Sequence, residues 1–174
     1  MQFIRNRDKI ANVARTPAAT ELQRLAARCR RQGLPLTVQR RTLLEELLAR
    51  RDHPTAEQLF AAVSARLPGV ARATVYRNLE TLLRAGVLRK VWHAGAAARY
   101  EVSRDRHHHL VCVVCDKVRD VRLAALDRLP RPSAPGFLIL DYSVHFMGVC
   151  RDCASSASRR ARQLSLRRVE DAWE

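Results

Sequence analysis

Residues 55–102 read TAEQLFAAVSARLPGVARATVYRNLETLLRAGVLRKVWHAGAAARYEV, and this stretch decides the fold. Thr55-Ala56-Glu57-Gln58 has the form of a capping box, in which the Thr and Gln side chains each accept a hydrogen bond from a backbone N–H at the start of a helix. A helix begun there carries Leu59, Phe60, Val63 and Leu67 on one face and stops at Pro68-Gly69. The next helix runs from about Ala73 to Ala85, buries Val75, Leu79, Leu82 and Leu83, and ends at Gly86. Two β-like runs follow, Val87–Trp92 and Ala98–Val102, with His93-Ala94-Gly95-Ala96 available as the turn of a hairpin. Two helices joined by a short glycine-containing turn and followed by a hairpin describe a winged helix-turn-helix.

Upstream, a first helix is expected from Thr20 to just before Gly33, with Leu22, Leu25, Ala26 and Cys29 on its apolar face. Thr37 is placed to cap a second, in which Leu43, Leu44, Leu47 and Leu48 repeat at helical spacing until Asp52-His53-Pro54 breaks it. Residues 1–19 show no sustained period and read as a flexible N-terminal extension. The winged-helix unit therefore occupies residues 20–102, and Ser-Arg-Asp-Arg at 103–106 reads as a linker. From 107 to 153 the pattern is β-rich: strands are expected at His107–Val114, at Lys117–Arg122 and, broken, over Leu138–Tyr142 and Val144–Val149. Leu123–Leu129 reads as a short helix before a proline cluster, and 154–174 is a basic tail.

The formal net charge is +15, and residues 1–102 carry 19 basic against eight acidic side chains. A basic N-terminal half points to a polyanion, of which nucleic acid is the commonest, with solubility alone as the alternative. No apolar run approaches the roughly 20 residues of a membrane helix, so no membrane partner is expected. The first residues lack the apolar segment of a secretory signal. A cytoplasmic location is expected, where paired thiols bind metal more often than they form disulfides.

Cys112, Cys115, Cys150 and Cys153 form two C-x2-C pairs. Two such knuckles supply four sulfurs in a tetrahedron, which suits structural Zn2+ and leaves no open position for catalysis. An iron–sulfur cluster and a redox dithiol pair are the alternatives. Cys29 lies apart, on an apolar helix face. Just before the first knuckle stands His107-His108-His109. In a strand alternate residues share a face, so His107 and His109 point together and His108 points away. Asp120 on the next strand can approach that pair, Glu101 lies at the end of the wing, and His53 sits in the loop before the capping box. A mixed imidazole–carboxylate site there would suit Fe2+, Mn2+ or Zn2+, and the alternative is a set of ordinary surface histidines.

The segments LTVQRRTLLEELL, HPTAEQLFAAV, ATVYRNLETLLRAGVLRK, ARYEV, HHHLVCVVCDKVRDV and HFMGVCRDC follow one another over roughly residues 20–153. In this order they resemble the ferric uptake regulator (Fur) family. The resemblance implies an α+β chain: an N-terminal winged helix-turn-helix, then a small α/β dimerisation domain with a four-cysteine zinc site. It implies a homodimeric, metal-dependent repressor that binds a palindromic DNA operator. It assigns structural zinc to Cys112, Cys115, Cys150 and Cys153, and a regulatory metal, Fe2+ or Mn2+, to His53, Glu101, His107, His109 and Asp120. Asp120 matches the peroxide-responsive (PerR-like) branch, whereas Glu101 departs from the aspartate typical of it. Iron and zinc sensing rank next; the wing cysteine of zinc sensors is missing near residue 95. A further site of the family falls on Arg106, His108, Asp127 and Tyr142, of which His108 and Asp127 alone are suited to bind metal.

For DNA, Arg72, Thr74, Tyr76 and Arg77 face outward at the start of the helix before the wing, and the resemblance agrees with Tyr76 and Arg77 as base contacts. Arg40 and Arg41 are expected on phosphates. The sequence has no nucleophile constellation and no glycine-rich phosphate loop, so no enzyme is expected. A constitutive zinc-containing nucleic-acid-binding protein is the non-sensing alternative.

Overall fold

The computed structural model describes residues 18–50, 52–91, 97–102, 107–129, 132, 135–140 and 142–156. Four helices come first: α1 (Ala18–Arg31), α2 (Val38–Ala49), α3 (Ala56–Arg66) and α4 (Arg72–Arg84). Thr37 caps α2 through Arg40 N–H, and the capping box of Thr55 and Gln58 opens α3 with both of its hydrogen bonds formed. Helix α1 begins at Ala18, two residues earlier than the sequence suggests, and α4 begins at Arg72. Gly33 (φ +67°) and Gly86 (φ +64°) take the left-handed backbone that ends α1 and α4. A Cβ at Gly86 would also lie 3.2 Å from the Arg28 guanidinium.

The helices enclose the principal core. Leu25 and Cys29 of α1 meet Leu43, Leu44, Leu47 and Leu48 of α2, Leu59 and Val63 of α3, and Val75, Leu79 and Leu82 of α4. Phe60, Leu67 and Leu83, expected inside, are half-buried against this cluster. Strands β1 (Leu88–Val91) and β2 (Arg99–Val102) pair antiparallel as the wing, with Leu88 opposite Val102 and Val91 opposite Arg99.

The second half is a three-stranded sheet of order β4-β3-β5, built from β3 (His108–Cys112), β4 (Val118–Val121) and β5 (His145–Gly148). β4 runs antiparallel and β5 parallel to β3. A short α5 (Ala124–Asp127) follows β4, and α6 (Arg151–Ser156) follows β5. The expected broken stretch is a strand only at His145–Gly148; Leu138 and Leu140 are exposed to solvent and pair with nothing among the described residues. Few side chains are buried here. Val91 of the wing meets Val111 and Val118 in a small cluster that joins the two halves. Exposed apolar side chains remain on the sheet, among them Leu110, Phe146 and Met147. No described helix is long and apolar enough to cross a membrane. The turn at 93–96, the linker 103–106, the extension before Ala18 and the tail after Ser156 lie outside the described residues.

Candidate metal centre

The two C-x2-C pairs close on each other. All four sulfurs lie within 4.8 Å of one another, and Cys115 Sγ is 3.8 Å from Cys150 Sγ. A disulfide would need about 2.05 Å. Four sulfurs at about 2.3 Å from a common centre lie about 3.8 Å apart, so the cage fits a tetrahedral Zn2+. The first knuckle is built by β3 running into a turn in which Asp116 N–H bonds Cys112 O and Asp116 takes φ +55°. Cys150 N–H donates to Cys112 Sγ at 3.3 Å and Cys153 N–H to Cys150 Sγ at 3.5 Å. Burial pushes the Cys112 thiol up, but amides of Cys150, Cys115 and Val114 outweigh this and bring it down to about 6. Burial and the neighbouring thiols leave Cys115 raised, and hydrogen bonding with Cys115 and Cys150 raises Cys153. Without a cation, Cys112 disfavours ionisation of Cys115 and Cys153; a divalent cation would favour the thiolate form throughout the cage.

A second cluster gathers His53, Glu101, His107, His109 and Asp120, whose ligand atoms again lie within 4.8 Å. Glu101 Oε2 stands 3.0 Å from His53 Nε2, 2.8 Å from His107 Nε2 and 3.3 Å from His109 Nε2. Asp120 Oδ1 is 2.8 Å from His53 Nε2 and 3.7 Å from His107 Nε2. The donors come from four places: the α2–α3 loop, β2, the start of β3, and β4. The predicted alternation holds. His109 lies opposite Asp120 in the β3–β4 register, while His108 turns to the other face, where its Nδ1 accepts from Val144 N–H.

Burial pushes the His53 imidazole down, but Asp120 and Glu101 outweigh it and raise it to about 9. Burial pushes the Glu101 carboxyl up, and the imidazoles of His107, His109 and His53 more than reverse this, holding it well below the usual carboxylate range. Asp120 is likewise held down by His53 against the effect of burial. Three imidazoles crowded on two carboxylates fit a divalent cation. Donors at right angles about 2.1 Å from a cation sit about 3 Å apart, the spacing found here. The Nδ1 atoms of His53 and His109 are buried without a hydrogen-bond partner, so both rings offer the cluster their Nε2.

His53 carries a further mark: its φ is +49°, a left-handed backbone that L-residues with a Cβ rarely adopt. His145, which no sequence pattern singles out, stacks edge-on against His109 with centroids 5.2 Å apart. The remaining family-implied positions give His108 Nε2 at 3.4 Å from Asp127 Oδ1, without hydrogen-bond alignment, and Tyr142 stacked on the His108 ring while its hydroxyl donates to Leu126 O. Arg106 lies outside the described residues.

The expected DNA contacts lie away from the metal clusters. Arg72 and Tyr76 are exposed, yet both bind Glu57 Oε2, at 2.8 and 3.1 Å. Arg77 is exposed and Thr74 half-buried. Arg40 spans α2 to α4 by bonding Asn78 Oδ1, and also bonds Pro35 O, while Arg41 pairs with Glu45.

Residues 31–147 match the model of the ferric uptake regulator family. The chain belongs to this family. Among its relatives the peroxide operon regulator of Bacillus subtilis (strain 168) is 30% identical over 139 residues, covering 79% of this chain and 96% of that protein. The peroxide-responsive repressor PerR of Staphylococcus epidermidis is 27% identical over 135 residues, covering 76% of this chain and 90% of that one. The solved structure of the Helicobacter pylori ferric uptake regulator Fur superposes with a TM-score of 0.64 at 18% identity, over 82% of this chain and 97% of that chain, and shows the shared fold.

Proposed function

We propose that this Fur-family protein is a homodimeric, metal-dependent transcriptional repressor of the cytoplasm that senses peroxide. Zn2+ at Cys112, Cys115, Cys150 and Cys153 is its structural metal. Fe2+ or Mn2+ at His53, Glu101, His107, His109 and Asp120 is its regulatory metal. One observation carries the reading: donors from the winged-helix unit (His53, Glu101) and from the β-sheet unit (His107, His109, Asp120) converge within 4.8 Å. Mixed nitrogen and oxygen donors suit Fe2+ and Mn2+. The two peroxide-regulating relatives support the peroxide branch.

His53 and Glu101 hold the helices and the wing to one side of the centre, and β3 and β4 hold the other. Binding there fixes the angle between the units, and if DNA accepts only that angle the metal acts as co-repressor by population shift. Fe2+ held there would activate peroxide, the two-electron oxidant, so that one oxygen replaces a ring C–H hydrogen of an adjacent imidazole and the other leaves as water. The family resemblance points to His53 or His107 as the imidazole oxidised, and both lie against Glu101 Oε2 in the cluster. Helix α4 would enter the major groove with Arg72, Thr74, Tyr76 and Arg77, Arg72 and Tyr76 leaving Glu57 for DNA, and Arg40 and Arg41 would lie toward phosphates. The exposed apolar side chains of β3 and β5 would meet a second copy, and a two-fold dimer reads a palindromic operator.

His53→Ala tests the reading. The variant is expected to keep its zinc and its dimer while losing metal-dependent operator binding in a titration with Fe2+ and Mn2+. Undiminished metal-dependent binding would refute the site. Operator binding that needs no metal in the wild type would instead leave a constitutive zinc-containing DNA-binding protein. Mass spectrometry after peroxide treatment of the Fe2+ form should find one added oxygen on the His53 or His107 peptide; its absence would leave an iron or zinc sensor.

A further inference from the structure

We infer that Arg99 is a positioning residue of the regulatory centre, clamping the His53 backbone in the left-handed conformation that aims its imidazole at Glu101 and Asp120. This rests on the metal-site reading above and goes beyond it.

The loop that carries His53 has no secondary structure of its own to hold it. Asp52 to Pro54 separates α2 from the Thr55 cap of α3, and His53 sits in it at φ +49° while only 7% exposed. A strained, buried backbone persists only when its surroundings over-determine it. The wing strand does so. Arg99 Nη1 donates to His53 O at 2.9 Å and lies 3.4 Å from Asp52 O. Arg99 also forms an isolated antiparallel bridge with Thr55, and Tyr100 N–H donates to Pro54 O at 2.9 Å. From the other side Arg50 forks onto the Asp52 carboxylate at 3.0 and 2.9 Å.

The clamp and a ligand are on one strand. Arg99 and Glu101 are two residues apart on β2, so they share a face. Glu101 offers its carboxylate to His53 Nε2, and Arg99 holds the carbonyl of the same histidine. The wing thereby sets both ends of His53 relative to one another. The guanidinium gives up water to do this, since its Nε is buried without a partner. A cationic donor on two successive carbonyls is a stronger tether than an amide would supply.

A double-mutant cycle on full-length, zinc-loaded protein tests this, with Mn2+ as the probe. Arg99→Ala should weaken Mn2+ binding by about 10–100-fold, the usual cost of removing a group that orients a ligand. His53→Ala should weaken it at least as much. In the His53→Ala background, Arg99→Ala should add almost nothing, because the residue it positions is gone. Equal losses in both backgrounds would overturn the role of Arg99 while leaving the site intact. No effect of His53→Ala would overturn the site and the clamp together. Arg99→Lys keeps the charge and one donor and should recover part of the affinity; it replaces Arg99→Ala throughout the cycle if that variant does not fold. Hydrogen exchange without regulatory metal gives a second readout: Arg99→Ala should speed exchange of the Tyr100 amide, which ties the loop to the wing through Pro54 O, and spare those inside α2. Unchanged exchange at Tyr100 would refute the clamp.

Discussion

Replacing Cys115 by serine should release the β-sheet half of the molecule and leave the helical half folded. The side chain is exposed, so the substitution removes a ligand and disturbs little packing. The consequences follow from how unevenly the core is divided. The helical half shares a cluster of 15 buried residues, whereas the cluster at the sheet holds three, Val91, Val111 and Val118. Burying a valine contributes about 1.5–3 kcal/mol, so this cluster contributes about 5–9 kcal/mol, and Val113 and Val121, also buried in this half, about 3–6 kcal/mol more, before any cost of ordering the chain. A structural zinc on thiolates contributes about 10–16 kcal/mol in small peptides. The zinc is therefore comparable to all the buried valines of its own half, and the cost of ordering the chain leaves the sheet dependent on it. The assay is hydrogen exchange with metal analysis. The zinc-free variant should lose amide protection over β3, β4 and β5, and with it the placement of His107, His109 and Asp120, while α1–α4 keep theirs. Full protection of β3–β5 in protein shown to contain no zinc would refute the reasoning.

Arg77→Ala should weaken operator binding by about 1–3 kcal/mol and relax the base preference at one position per half-site, measured by fluorescence anisotropy on a set of substituted operators; uniform weakening across the set would reassign Arg77 to phosphate. Phe146→Glu places a charge on the exposed face of β5 and should shift sedimentation from dimer to monomer, and an unchanged dimer would locate the interface elsewhere. Glu45 is held below its ordinary value of 4.5 by its hydrogen bond to Arg66, which outweighs burial. The pair therefore stabilises the fold fully above 4.5, and the contribution is lost as pH falls from there through the lowered folded-state value. Glu45→Gln should accordingly cost less than about 1 kcal/mol at pH 7 and progressively less as pH falls below 4.5 in urea unfolding, and a cost that stays constant with pH would show the ion pair is not responsible.

The helical half is readable from sequence because its signals are local. Thr37 and Thr55 announce their helices, Gly33 and Gly86 end theirs, and the leucines of α2 repeat at helical spacing. Strands read from apolar runs come out long, by a residue or two at most ends. Leu138–Tyr142 misleads because apolarity alone does not make a strand: Leu138 and Leu140 have no neighbour among the described residues to pair with. The cysteine spacing and the alternation of His107 and His109 are legible, since each depends on two or three residues. Joining His53 and Glu101 to them takes the family resemblance, because contacts 48 and eight residues apart leave no local trace. His145 has no signal in the sequence because only the parallel register of β5 on β3 sets it beside His109. Arg99 has none because one arginine among 32 basic residues does not stand out.

The histidine triplet has a consequence for how β3 finds its alignment. A one-residue slip of a strand turns every side chain to the opposite face. In His107-His108-His109 such a slip would still leave one imidazole, His108, toward Asp120, while turning the other two away. The histidines therefore favour their register only by two imidazoles against one. Cys112 ends the same strand, and it does not share the ambiguity: a slip that left an imidazole in place would turn its sulfur away from Cys115, Cys150 and Cys153. The thiolate cage is thus the ratchet pawl of the strand. It keeps the pair His107 and His109, rather than His108 alone, turned toward Glu101 and Asp120, and it does so from the far end of β3.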